Sequence, residues 1–368
     1  TVSNPTYISS PSDPTPDTGF RVARNGWSGS VPLPGSVWAL AAVNGASNAT
    51  LYAYRMNSDG SIAATISVNV GSVINITALR VHPRLKLILV GLSSGEIYLY
   101  RIENGVFRHV ASSSFNPPIS SAIIDIECAP SSDAVYFLTD SNVYVAYLNT
   151  VGSSLMYYST PVSAPNAQDL ALGDTVYVAC KDMTTSGSDT FLRKHDFTGA
   201  YVSDSSSVNN NDYKPRLARF GQYMILLQST TSNNYISATA FSMVSSVGNQ
   251  TSTLSNINLY GLAAGNKKFY YAASSGGTDN VFSSYMTPAI QTPSTEGNFG
   301  SNTTDRSMAV DPEGTFLAIG NPDAGGGNGS LIVIRLDPAT GATMAGLLSN
   351  QTYSSSPCVA VEFVRMYE

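Results

Sequence analysis

The sequence predicts an all-β fold, a seven-bladed β-propeller with four antiparallel strands per blade. Three observations predict it. A unit of about 45 residues recurs along the chain, its apolar runs lack helical periodicity, and the two chain ends hold complementary fragments of one unit.

The repeat is carried first by a short apolar strand ending in Pro or Gly. It reads ITALRVHP at Ile76–Pro83, IDIECAP at Ile124–Pro130 and DLALG at Asp169–Gly173. It continues as RLARFG at Arg216–Gly221, YGLAAG at Tyr260–Gly265 and SMAVDP at Ser307–Pro312. The last residues of these copies stand at 83, 130, 173, 221, 265 and 312, with spacings of 47, 43, 48, 44 and 47. A second segment keeps step: LYAYRMN at Leu51–Asn57, IYLYRIE at Ile97–Glu103, VYVAYLN at Val143–Asn149 and LIVIRLD at Leu331–Asp337. Turn glycines follow in several copies, at Gly60, Gly105, Gly199 and Gly341. Between the two segments lies another apolar run, such as LKLILVGL at Leu85–Leu92 or TFLAIG at Thr315–Gly320. Each unit thus holds four short strands separated by Gly, Asn, Asp and Ser turns. A solenoid is the alternative, but its repeats are usually shorter.

The ends set the blade count. The first copy opens with SVWALAAVN, Ser36–Asn44, a second strand with no first. The chain closes with CVAVEFVRMYE, Cys358–Glu368, a first strand with no followers. Pairing the two completes a seventh blade and leaves no open sheet edge between first and last. The ring then occupies residues 25–368. Residues 1–24 fall outside the repeat, with Pro5, Pro11, Pro14 and Pro16 among Ser, Thr and Asp. Proline lacks an N–H and cannot sit in a central strand, so this segment reads as an extended arm. It is either a disordered terminus or a tether that orders against a neighbouring subunit, docking through GFRVARNGW at Gly19–Trp27.

Composition narrows the partners. Charged residues are only 12%, so the polar surface must come from 52 Ser, 30 Thr and 27 Asn. Such neutral surfaces suit β proteins outside a cytoplasm or packed in assemblies. Net charge is −6 with no basic run, which argues against a nucleic-acid surface. No stretch approaches the roughly 18 apolar residues of a membrane span. The first twenty residues lack the basic and apolar regions of a signal peptide, although a cleaved one would leave no trace. Cys128, Cys180 and Cys358 each lie in an apolar strand pattern and read as free buried thiols.

An enzyme of this architecture would place its site at the mouth of the central channel. The inner-strand segments carry Arg80, Asp125, Glu127, Asp169, Arg216, Arg219, Arg306, Asp311 and Glu362. Asp125 or Glu127 as general base, with Arg216 holding an anionic substrate, is the candidate catalytic set. The plainer reading is that a wet channel is lined by polar side chains in any case. His82, His109 and His195 fall on three different strand types, so a shared metal or triad is not expected. No nucleophile elbow, phosphate loop, dinucleotide fingerprint, CxxC or HExxH occurs, and no cofactor or metal is implied. The loops Asn321–Gly329 and Asn209–Asp212 are oxygen-rich but offer one carboxylate each, too few for calcium. Six glycosylation-type sequons match the number chance gives. Tyr52 with Tyr54, and Tyr98 with Tyr100, lie two apart and share a face, which suits packing between blades or an exposed contact surface.

The stretches MAVDPEGTFLAIGN and LIVIRLDPATGAT, Met308–Asn321 and Leu331–Thr343, together with VHPRLKLILVG, Val81–Gly91, resemble the seven-bladed propeller superfamily, in particular its lactonase-like branch. That resemblance implies the fold and one possible activity, a lactone hydrolase or cyclase with a channel-mouth site. Lacking an evident catalytic cluster, the chain also resembles non-catalytic propellers displayed on bacteriophage virions as decoration, tail or fibre components. This is the leading expectation: a structural protein in contact with protein neighbours through its arm, in a virion or outside the cell. A Thr start fits loss of an initiator Met without export. An extracellular glycan-binding propeller is the third expectation, though no residue common to all repeats builds its pockets.

Overall fold

The computed structural model describes residues 36–72, 74–113, 115, 118–149, 154–157, 161–182, 189–204, 215–229, 234–240, 248–251, 257–275, 278–286, 290–291, 294–298, 307–322 and 328–366. The proposed arm, the docking segment 19–27, Arg306 and the two oxygen-rich loops (in whole or in their central part) lie outside these residues. One compact unit spans Val37–Met366; of the other, residues 1–36 with 367–368, only Ser36 is described.

Every regular element among the described residues is a strand. Strands β1 (Ser36–Asn44), β2 (Asn48–Met56) and β3 (Ile62–Ser72) form the first hairpins. The second unit holds β4 (Ile76–Val81), β5 (Ile88–Leu92), β6 (Ile97–Glu103) and β7 (Val106–Ser112). The third holds β8 (Asp125–Cys128), β9 (Ala134–Leu138), β10 (Asn142–Leu148), β11 (Leu155–Tyr157) and the short β12 (Val162–Ser163). The fourth holds β13 (Ala167–Leu172), β14 (Val176–Asp182), β15 (Asp189–His195) and β16 (Tyr201–Asp204). The fifth holds β17 (Arg216–Phe220), β18 (Tyr223–Ser229), β19 (Asn234–Ala240) and β20 (Gly248–Thr251). The sixth holds β21 (Ile257–Ala264), β22 (Phe269–Ser275), β23 (Thr278–Ser284) and β24 (Ser294–Asn298). The last comprises β25 (Ser307–Val310), β26 (Phe316–Asn321), β27 (Gly329–Leu336) and β28 (Thr343–Tyr353), and β29 (Cys358–Met366) follows.

These strands form antiparallel sheets in a propeller arrangement. Six sheets have four strands, and the sheet of β8–β11 has the same path with β12 added beside β10. The terminal strand β29 is hydrogen-bonded to β1, in the order β29-β1-β2-β3. Each innermost strand packs beside the next: β29, β4, β8, β13, β17, β21 and β25 in sequence, with β25 again beside β29.

The second strand of each sheet explains the long apolar runs. Side chains alternate faces along a strand, and a strand buried on both faces shows no alternation in hydrophobicity. In β1, Trp38, Leu40 and Ala42 pack toward the β4–β7 sheet, while Val37, Ala39 and Ala41 pack toward the β25–β28 sheet. The runs AVYFL in β9 and FLAIGN in β26 are likewise buried at every position. The core is therefore a series of apolar layers between neighbouring sheets. Turn chemistry sets the hairpins. Between β6 and β7, Asn104 (φ 52°) and Gly105 (φ 71°) make a two-residue turn with both residues in the left-handed region, the conformation Asn-Gly supplies at least cost.

Tyr52 and Tyr54 do share a face, with ring centroids 6.2 Å apart. Tyr54 bridges sheets: its hydroxyl lies 2.9 Å from that of Tyr353 on β28. Tyr98 and Tyr100 instead meet His109 on β7 of their own sheet. The three cysteines are free and buried.

The start of β29 is tightly seated. Gly329 N donates to Ser356 O at 3.1 Å, and a Cβ on Gly329 would collide with the Ser356 carbonyl and the Cys358 amide, both backbone. Gly329→Ala is therefore expected to destabilise the protein by about 1–3 kcal/mol, because backbone cannot swing aside as a side chain can. Chemical denaturation of the variant against the wild type measures this.

Candidate functional site

A pocket of about 460 Å³ lies among the innermost strands, and all seven of them contribute to its wall. Pro83, Pro130 and Pro312, which follow β4, β8 and β25, also line it.

Strand alternation delivers its polar groups. On β8, Ile126 and Cys128 are buried in the layer between sheets, which turns Asp125 and Glu127 to the opposite side. On β4, Arg80 reaches sideways to both neighbouring strands. Its Nη2 lies 2.7 Å from Glu127 Oε2 and its Nη1 lies 3.2 Å from Glu362 Oε2 on β29. Three consecutive inner strands thus meet through one guanidinium. The two carboxylates are 12% and 13% exposed, so their solvation comes mostly from Arg80. Burial pushes Glu127 up to about 7, with Glu362 adding to the rise and Arg80 opposing it. Burial also raises Glu362, again opposed by Arg80. The two carboxylates hold Arg80 firmly charged against its own burial.

Asp125 does different work. Its Oδ1 accepts from Ile126 N at 2.8 Å and its Oδ2 from Leu170 N on β13 at 2.9 Å. Asp169 repeats the move one sheet on, accepting from Leu217 N on β17 at 2.6 Å. Ser307 Oγ accepts from Val361 N, and Asn44 bonds both the N–H and the C=O of Ile76. Short polar side chains therefore tie the backbone of one innermost strand to the neighbouring sheet. Burial, then the neighbouring Asp169 and Glu127, drives the Asp125 carboxyl well above its ordinary range. Asp125→Ala is expected to cost about 1–3 kcal/mol, because the Leu170 amide loses its acceptor. Asp125→Asn keeps one acceptor oxygen for the two amides of Ile126 and Leu170 and sets an NH2 against the other, so it should fall between the wild type and Asp125→Ala; thermal melts of the two variants make the comparison.

The sequence-predicted set is thus divided. Glu127 lines the pocket beside Arg80, Asp125 is bonded to the backbone of β13, and Arg216 opens β17, with β13 between it and β8. The guanidinium that meets Glu127 is Arg80. A signal for this pairing was present: Arg80 and Glu127 both stand three residues before a terminal Pro, the same position of the repeat. Ala218, Leu262 and Ala309 hold that position in later copies, so the charges gather on one arc of the wall.

Three more cations stand on the wall: Lys86, Arg219 and Arg365. Arg365 pairs with Glu313 at 2.6 Å and Asp311 at 3.6 Å. Lys86 adopts a left-handed φ of 54°, closing the turn after β4. Burial and the nearby Arg365 push its amine down. His82, just past β4, and His195, at the end of β15, are fully buried and belong to different repeat units. Among the described residues, no group of three or more His, Cys, Asp or Glu side chains is arranged to hold a metal ion. Among the described residues there is no helix long and apolar enough to cross a membrane.

The chain's sequence matches no family model, and no curated protein matches it. Its fold has many solved counterparts. The Pseudomonas aeruginosa periplasmic gluconolactonase PpgL is similar at a TM-score of 0.61 and 14% identity, over 89% of this chain and 99% of that one. A 6-phosphogluconolactonase candidate from Bacteroides fragilis is similar at 0.55 and 12%, over 91% and 100%. A chain of Kuenenia stuttgartiensis hydrazine synthase is similar at 0.54 and 11%, over 84% and 98%. Such different chemistries on one architecture mean that these likenesses carry the propeller fold, and the site must carry the function.

Proposed function

We propose that this chain is a lactonase-like propeller, a closed ring of seven blades whose central pocket hydrolyses a cyclic ester. The observation that carries the reading is the contact of Arg80 with Glu127 and Glu362 on the pocket wall. It joins a carboxyl half-ionised near neutrality to a fixed cation, beside a space large enough for a small ligand.

The roles follow from the chemistry. Ionised Glu127 takes a proton from a water as the water oxygen attacks the lactone carbonyl carbon. The carbonyl electron pair moves onto its oxygen, and a guanidinium N–H of Arg80 stabilises the oxyanion. Collapse breaks the bond between the acyl carbon and the ring oxygen, and that oxygen takes the proton back from Glu127. The product is an open hydroxy acid, ionised at neutral pH, for which Lys86 and Arg219 provide opposite charge. Glu362 shares Arg80 and keeps it oriented. In this scheme Arg80 serves at the carbonyl in place of Arg216, and Asp125 holds β13 rather than a proton in transit.

The gluconolactonase names among the fold neighbours support a lactone class in preference to a virion role, for which no compared protein speaks. The test is acid release from a panel of γ- and δ-lactones, followed in a pH-stat with the full chain. Saturable release above the uncatalysed rate is expected; none across the panel sinks the reading.

A further inference from the structure

We infer that the lactone taken by this pocket, or its hydroxy acid, carries an alkyl side rather than a hydroxyl on every carbon. The inference rests on the lactone reading above and adds the substrate class. Its source is the two-sidedness of the wall. Arg80, Glu127 and Glu362 occupy the adjacent strands β4, β8 and β29. Across from them, β13, β17, β21 and β25 contribute Ala171, Ala218, Leu262, Met308 and Ala309. Of the pocket-lining residues on that arc the charged one is Arg219, near the end of β17, where its Nε donates to Gly221 O; Asp169 and Arg216 stand on the same strands but not among the lining residues.

A polyhydroxy lactone presents hydroxyls around its whole ring. Those turned toward the methyl and leucyl side would give up water without gaining a side-chain partner. Part of the inner-strand backbone is also spent: the amides of Leu170, Leu217 and Val361 are bonded to Asp125, Asp169 and Ser307. An alkyl chain meets the same surface at a gain, about 10–200-fold in specificity for each methylene accommodated. A volume of about 460 Å³ accepts a lactone ring with a short chain.

The experiment compares δ-nonalactone with glucono-δ-lactone. Hydrolysis is measured with wild-type protein, and calorimetry measures binding of 5-hydroxynonanoate and gluconate to Glu127→Gln. Expected is a kcat/KM at least tenfold higher for the alkyl lactone, with a ratio that narrows in Leu262→Asn. Ala218→Ser, a smaller change on the same arc, provides the same reading should Leu262→Asn melt early. Equal or better turnover of the sugar lactone overturns the inference. If neither lactone is hydrolysed but 5-hydroxynonanoate binds and gluconate does not, the catalytic reading fails and the ligand class stands. If neither acid binds and neither lactone turns over, the inference is overturned.

Discussion

Glu127→Gln is expected to lower lactone hydrolysis by about 10²–10⁴-fold, the range that a positioned general base contributes. Gln is nearly isosteric, keeps an oxygen toward Arg80 and leaves the Arg80–Glu362 pair in place. Loss of activity with an intact fold would therefore isolate the proton-transfer role. The pH dependence gives a second readout. The base must be ionised, and burial raises Glu127 to about 7, so wild-type kcat/KM should climb about tenfold per pH unit below 7 and level off above it. Stability should move the other way. The folded-state value lies above the ordinary 4.5, so the stability this carboxyl confers is fully present below about 4.5. It is lost as pH rises toward 7. Glu127→Gln removes that dependence, so its melting temperature should gain on the wild type between pH 4 and pH 8. Calorimetry at the two pH values checks it, and a parallel pair of melting curves would count against Glu127 as the group responsible.

Arg80→Ala should produce the largest loss of stability among substitutions at the site. It leaves Glu127 and Glu362, both nearly buried, without their shared cation. Breaking a fully buried pair costs about 3–5 kcal/mol. The Arg80 side chain is 39% exposed, and water screens part of the interaction, so about 2–3 kcal/mol is the better expectation here. The deficit should be greatest above pH 7, where both carboxylates are ionised. It should shrink toward pH 4, where each takes up a proton and no longer needs the guanidinium. Arg80→Lys keeps the charge but cannot fork to two acceptors on opposite neighbours, and should fall between wild type and alanine. Denaturant midpoints at pH 4.5 and pH 8 measure the series, and a deficit independent of pH would separate Arg80 from its two partners.

Much of the scaffold was legible. The segments read as inner strands at Ile76, Asp125, Arg216 and Ser307 are β4, β8, β17 and β25, because a short apolar run between turn residues has few alternatives to a strand. The terminal strand β29 is hydrogen-bonded to β1. The face shared by Tyr52 and Tyr54 was legible too, since side-chain alternation is local. The partner of Tyr54 was not, because Tyr353 lies 299 residues away and only the packing of sheets brings it near.

The site divides in the same way. Sequence alone put Arg80, Asp125, Glu127, Asp169, Arg216, Arg219 and Glu362 on inner strands, and Arg80 and Glu127 at one repeat position in successive copies; it counted Asp311, which follows β25, and missed Arg365 on β29. Only the tertiary structure decided that Arg80 reaches Glu127 and Glu362, 47 and 282 residues distant, and that Asp125 is bonded to the backbone of β13 instead. The physical reason is range. Strand pattern and side-chain facing follow from neighbours along the chain. Which carboxylate meets which guanidinium depends on the angle and offset between sheets, set by apolar layers whose residues come from distant parts of the sequence.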